Sequence, residues 1–201
     1  GQRDLHSRRG RREAVLLSVL YDTGARVQEL VDLSAGDVRF DPPPQVRLMG
    51  KGRKMRAVPL MDPTAEILRE YLHENDLDRP EHFDCPLFQN RQGGRLSRSG
   101  VRYILEKYVE AVRKIHPGFT QAVSPHSFRH TKGMHLLQSG ISLDVIRDFL
   151  GHADAKTTEI YARANLEMKR KALEKVADDP PLSTIPSWKQ DETLLEWLRS
   201  L

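Results

Sequence analysis

The sequence predicts a mainly α-helical domain that carries a small antiparallel β-sheet. Three observations point there. Apolar residues such as Val101, Ile104, Leu105, Tyr108, Val112 and Ile115 recur at helical spacing. Two strand-like runs, Val46–Met49 and Met55–Leu60, flank a Gly-Lys-Gly-Arg-Lys turn. Pro125 lies just inside the start of one helical stretch and Gly140 just past its end, the usual asymmetry of helix termini.

The elements follow in order. Residues 14–20, AVLLSVL, are apolar on nearly every face and read as a buried helix leading to Gly24. A short helix over Arg26–Leu33 has Val27, Leu30 and Val31 as its apolar side. Asp41 and the prolines at 42–44 break the chain. Then comes the hairpin over 45–60, with a basic tip. Pro63–Glu74 reads as a helix with Ile67, Leu68, Tyr71 and Leu72 on one side. Pro86–Gln89 reads as a third strand, ended by Gly93-Gly94. Ser97 or Ser99 caps the next helix, which His116-Pro117-Gly118 ends. Ser124-Pro125 opens a helix to Gln138. Shorter helices follow over Ser142–Leu150 and Ala155–Ala162, then a charged one over Leu166–Val176. Asp178–Pro181 makes a linker, and Asp191 caps a last helix with Leu194, Trp197, Leu198 and Leu201 on one stripe.

Composition narrows the function classes. At 38% hydrophobic and 30% charged residues, the chain suits a water-soluble globular protein. No apolar run approaches the roughly 18–20 residues of a membrane span. The arginine-rich start is not a signal peptide. A single cysteine, Cys85, rules out a disulfide or a cysteine-based zinc site within one chain, so a cytoplasmic home is expected. Net charge of +4 and a pI near 9.3 allow a polyanion partner. Arg3, Arg8, Arg9, Arg11 and Arg12 crowd the start, either as a solvated terminus or as polyanion contacts.

The strongest chemical signal is SPHSFRHTKGMHLL at 124–137. His126 and Arg129 are three residues apart and share a helix face in its first turn. There the free N–H groups and the helix dipole favour a phosphate. His130 reads as a packed structural histidine behind the site. His126 and His130 also form H-x-x-x-H, but Ser127 stands where a zinc-protease helix places Glu. The neighbouring arginine also opposes a cation, so no metal site is expected. Further on, LGHADAKTTEIYARAN at 150–165 places Tyr161 nine residues after His152. Upstream stand TGARVQEL at 23–30 and the turn with Lys51. Read singly, Arg26 is a surface ion pair, Lys51 part of a solvated turn and Tyr161 a half-buried tyrosine.

Together these segments resemble the tyrosine recombinases, or phage-type integrases, over roughly residues 14–175. A-R-x-x-E-[LI] is matched at Arg26, the G-K-G-x-K tip at Lys51, H-x-x-R-H at His126 and Arg129, L-G-H at His152, and the tyrosine at Tyr161. All six positions stand in family order, and it is the ordered set that is specific. Gln28 departs from the smaller or apolar residue often found there. The family's N-terminal core-binding domain is expected to lie outside this chain. The resemblance implies a catalytic domain over 1–178 and a linker with a docking helix over 179–201, in the integrase-like fold of DNA breaking-rejoining enzymes.

It further implies site-specific cleavage and rejoining of double-stranded DNA through a 3′-phosphotyrosyl intermediate, for a mobile element, with no metal or other cofactor. Protein cations then carry the electrostatic work, and removing one such donor typically costs about 10²–10³ in rate. Arg26 and Arg129 would grip the phosphate bidentately and keep their charge. His152 would hydrogen-bond a phosphate oxygen. Tyr161 would attack, with His126 taking its proton. Lys51 would return a proton to the leaving 5′-oxygen, its pKa lowered by cationic neighbours. Arg53 and Lys54 would contact DNA, and Glu29 would orient nearby groups by pairing with an arginine. The family's C-terminal segment often docks on a neighbouring protomer, so a tetrameric homo-oligomer on DNA is expected. The competing readings are a type IB topoisomerase-like relaxing enzyme and a catalytically inert DNA-binding relative.

Overall fold

The chain begins its described course with a helix the sequence only half announces. In the computed structural model, which describes residues 7–151, helix α1 spans Arg8–Thr23. It therefore takes in the arginines that precede the apolar run. Ser7 caps it by accepting from the Gly10 N–H at 3.0 Å. The crowded arginines are fixed within the protein. Arg9 pairs with Glu13 at 2.9 Å, Arg11 with Glu74 at 2.8 Å, and Arg12 donates to the Gln89 carbonyl at 2.7 Å. The terminus is thus helical rather than frayed at these three, of which Arg9 and Arg11 keep exposed side chains; Arg3 lies outside the described residues. Val15, Leu16, Val19 and Leu20 of α1 are the centre of the core.

Helix α2 is Val27–Asp32, with Leu30 and Val31 buried. A three-stranded antiparallel sheet follows in the order β1-β2-β3: Val38–Arg39, Gln45–Met49 and Met55–Pro59. In the β2–β3 register Val46 faces Val58 and Leu48 faces Arg56. Opposed residues of an antiparallel pair share a face, so Val46, Leu48, Val58 and Arg56 all point inward. Residues 50–54 turn the hairpin through a short 3₁₀ segment at Lys51–Arg53, closed by the Gly50 N–H donating to the Lys54 carbonyl at 2.8 Å.

Helix α3, Asp62–Glu74, packs on α1 through Leu68, Tyr71 and Leu72. The buried Asp22 accepts from the Met61 N–H at the start of α3 at 3.0 Å. The strand expected at Pro86–Gln89 is not formed. Leu87 and Phe88 are buried, but the segment makes only isolated bridges, Ser34 with Pro86 and Gln89 with Arg95. Its polar groups are met singly instead, by Leu33, Leu96 and the Tyr71 hydroxyl, so no ladder runs along it. The sheet's third strand is the two-residue β1.

Helix α4, Arg98–Ile115, starts at Ser97, which accepts from the Gly100 N–H at 3.0 Å. Only the first half of its expected stripe is covered: Val101, Ile104 and Leu105 are buried, whereas Val112 and Ile115 are exposed. Helices α5, Pro125–Gln138, and α6, Leu143–Leu150, pack on each other, and α5 packs on α1. No helix among the described residues is long and apolar enough to cross a membrane. The helices expected over 155–162 and 166–176, the 178–181 linker, the domain boundary at 178 and the tail helix lie outside the described residues, as do His152 and Tyr161.

Candidate functional site

Three arginines from three elements converge on the C-terminal end of α6. A helix leaves its last carbonyls without internal partners, at the negative end of its dipole. Here Arg56 of β3 donates from Nε to the Phe149 carbonyl at 3.1 Å. Arg129 of α5 donates from Nη2 to the Leu150 carbonyl. Arg26, at the N-cap of α2, donates from Nη2 to the Gly151 carbonyl at 3.0 Å. Three successive carbonyls are thus held by three guanidiniums, and the next residue in the chain is His152.

Each arginine has a second anchor. Arg129 donates from Nη1 to the Gly24 carbonyl at 2.7 Å and is only 4% exposed. Arg26 donates from Nη1 to Glu29 Oε1 at 2.8 Å, yet its side chain keeps 39% exposure. Arg56 reaches both oxygens of Glu29, at 3.0 and 2.7 Å, and is 13% exposed. The backbone N–H of Arg26 also donates to Glu29 Oε2, at 2.9 Å. The carboxylate therefore receives four hydrogen bonds, which fill its lone-pair sites. Burial works to raise the Glu29 carboxyl, but the hydrogen bonds and charges of Arg56 and Arg26 together outweigh it and hold the group below its ordinary range.

Two glycines let the elements meet. Gly24 adopts φ +55°, and a Cβ there would stand 2.7 Å from Leu150 Cδ2. Gly151 adopts φ +63°, and its Cβ would stand 2.9 Å from Arg56 Nη1. Both positions need the left-handed backbone that glycine takes at little cost, and both need its lack of a side chain.

The sequence-derived residues are distributed as follows. Arg26 and Arg129 are brought together at the Leu150-Gly151 carbonyls. His126 is exposed in the first turn of α5, while Arg129, the helix's fifth residue, begins the second turn. The expected cradle of free N–H groups is smaller than the sequence implied. Pro125 has none, and those of Ser127 and Phe128 already donate to Ser124, at 3.2 and 3.3 Å. His130 is exposed rather than packed, because it points away from the buried Arg129 face of α5. Lys51 stands on the hairpin turn, where Arg53 and Lys54 are exposed. Gln28 is exposed and donates to Asp32 Oδ1 at 2.9 Å, so its departure from the family pattern costs no packing. Sequence reasoning missed Arg56. The signal was available: an arginine alternating with Val58 and Leu60 on a strand occupies an inward position and needs a buried partner. Among the described residues no three His, Cys, Asp or Glu side chains form a group that could hold a metal ion.

Residues 5–168 match the model of the phage integrase family. A putative integrase/recombinase, y4rC, of Sinorhizobium fredii is 37% identical over 194 residues, covering 96% of this chain and 56% of that protein. Tyrosine recombinase XerC of Chlamydia caviae is 32% identical over 171 residues, covering 85% of this chain and 53% of the other. Among solved structures, the XerH site-specific recombinase bound to palindromic difH substrate, a post-cleavage complex, aligns with a TM-score of 0.67 at 27% identity. That alignment covers 86% of this chain and 47% of XerH. The chain spans about half the length of the curated relatives it matches. Fold, ordered motifs and family match agree: this chain belongs to the phage integrase family, the tyrosine recombinases.

Proposed function

We propose that the chain is the catalytic part of a site-specific DNA recombinase, which cleaves and rejoins DNA strands through a 3′-phosphotyrosyl bond to Tyr161, without a metal, during integration or excision of a mobile element. The observation that carries this reading is the pairing of Arg26 and Arg129 on adjacent carbonyls, immediately before His152. Two guanidiniums are fixed side by side, Arg129 buried and Arg26 partly exposed, and both keep their charge at any pH the protein meets. In this reading Arg26, Arg129 and His152 stabilise charge on the phosphate oxygens. Tyr161 attacks phosphorus, and His126 accepts its proton. The bond to the 5′-oxygen breaks, and Lys51 protonates that oxygen. The reverse attack, by the 5′-hydroxyl of another strand, rejoins DNA and frees the tyrosine. Arg53 and Lys54, exposed beside the Lys51 turn, contact the DNA backbone. The working form is a homo-oligomer on double-stranded DNA, a four-protomer synapse with residues 185–201 docked on a neighbour, in the bacterial cytoplasm or nucleoid.

The test is covalent trapping on nicked suicide duplexes with randomised arms, followed by a denaturing gel and peptide mapping. An adduct mapping to Tyr161, formed in the presence of a chelator and absent for Tyr161→Phe, Arg26→Ala and Arg129→Ala, is expected. Light scattering of the trapped complex is expected to give four protomers. No adduct, or one on another residue, overturns the proposed chemistry. An adduct lost with chelator overturns its metal independence alone.

A further inference from the structure

Arg56 is a charged side chain on the inward face of a strand, and it uses all three of its nitrogens. Two bond the oxygens of Glu29, and Nε bonds the Phe149 carbonyl. Such an arginine is costly to bury unless its donors are met, and here Nε and both Nη nitrogens each have a partner. Its placement joins four parts of the site. It stands on β3, five residues beyond Lys51. It grips Glu29 on α2, and through Glu29 both the backbone and the side chain of Arg26. It holds the end of α6 that leads into His152, and it lies against Gly151, where a Cβ would meet its guanidinium.

The charges matter as much as the geometry. If Arg26 and Glu29 stood alone they would form a neutral ion pair, and a phosphate approaching Arg26 would meet the carboxylate as well. Arg56 places a second guanidinium on the same carboxylate. One carboxylate between two guanidiniums leaves one net positive charge, and Arg26 is the more exposed of the two cations.

We propose that Arg56 is a positioning residue for DNA cleavage: it neutralises Glu29, so that Arg26 presents an uncompensated charge to the scissile phosphate, and it locks the Lys51 hairpin strand to the segment that carries His152. This rests on the reading of Arg26 as a phosphate-binding arginine. It predicts a defect in the chemical step rather than in DNA affinity, because Arg56 is only 13% exposed and its nitrogens are bonded within the protein.

The experiment is single-turnover cleavage at saturating DNA, on the nicked suicide duplex recovered by trapping, with affinity and melting temperature measured beside it. Arg56→Met is expected to cleave about 10²-fold more slowly, the scale of losing one preorganised charge, with DNA affinity changed by less than about threefold. Arg56→Lys, which keeps the charge but loses the fork, is expected within about tenfold of wild type. Glu29→Gln added to Arg56→Met is expected to recover at least about tenfold over the single variant, since the uncompensated carboxylate is gone. A purely structural role would lower the melting temperature and leave the rate of the folded, DNA-saturated protein unchanged. An Arg56→Met protein cleaving at the wild-type rate overturns the proposal, as does a double variant no faster than Arg56→Met. If Arg56→Met does not fold, a loss beyond about 10²-fold in Arg56→Lys or in the double variant overturns it instead. Absence of any adduct from wild type is a separate result: it removes the recombinase reading on which the proposal rests.

Discussion

Two buried glutamates, Glu13 and Glu29, are each held by one cation close in sequence and one from a distant segment. Glu13 is fully buried and paired with Arg9 at 2.9 Å and Lys107 at 3.0 Å, tying α1 to α4. For both glutamates burial favours the neutral acid, but the paired cations win and keep the carboxyl below its ordinary value of 4.5. The sign follows from linkage. A carboxyl with a depressed folded pKa adds stability that is complete above the unfolded value and is lost as pH falls through the folded value. Urea unfolding of Glu13→Gln is therefore expected to show a weaker fall in stability than wild type between about pH 6 and pH 3. Parallel curves for the two proteins would remove Glu13 as a source of acid sensitivity. The same residues show what a sequence tells at this scale. Arg26 and Arg129 were singled out by the family's ordered motifs, and the fold brings these two together at the end of α6. Arg56 escaped because its partner, Glu29, is 27 residues away and on another element. Its inward register on β3 was the only trace in the sequence.

At the scale of elements, periodicity located α1 and α3 well, because their apolar stripes find partners within the described fold, whereas α5 was legible from its terminal proline and glycine. It failed where tertiary contacts decide. Val112 and Ile115 continue the α4 stripe but stay exposed among the described residues. Pro86–Gln89 looks like a strand because Leu87 and Phe88 are core residues, yet its neighbours offer single hydrogen bonds instead of a ladder. The joint of α1, α5 and α6 depends on one backbone conformation. Gly24 ends α1 in the left-handed region, offers its carbonyl to Arg129 and leaves room for Leu150. Alanine there pays about 1–2 kcal/mol for the backbone conformation. Pushing Leu150 away adds about 1–3 kcal/mol more. Gly24→Ala is accordingly expected to lower urea-unfolding stability by several kcal/mol. A loss under about 0.5 kcal/mol, the level of an ordinary surface change, would mean the joint relaxes freely.

Across the whole molecule, a net charge of +4 says less about DNA than the distribution of the arginines does. Away from the site, Arg11, Arg47, Arg79, Arg102 and Arg147 each meet an exposed or half-exposed carboxylate within the fold. Surface pairs of this kind add little stability, and they spend charge that would otherwise reach a polyanion. The hairpin turn is different: Arg53 and Lys54 are exposed and stand beside Lys51 at the turn of an antiparallel pair. The strand pair that carries this tip points Leu48, Val58 and Arg56 inward, and Arg56 bonds the end of α6 at the Arg26–Arg129 site. If the tip lies on the DNA backbone, its cations release counterions on binding, and each lost phosphate contact reduces the salt slope of log K by about 0.9. Arg53→Ala with Lys54→Ala is therefore expected to flatten that slope by about 1–2 and to weaken binding alike for all sequences. Fluorescence anisotropy across a salt series, on specific and unrelated duplexes, reads both quantities. An unchanged slope would take the tip off the DNA, and a loss confined to one sequence would make it a reader of bases rather than a backbone contact.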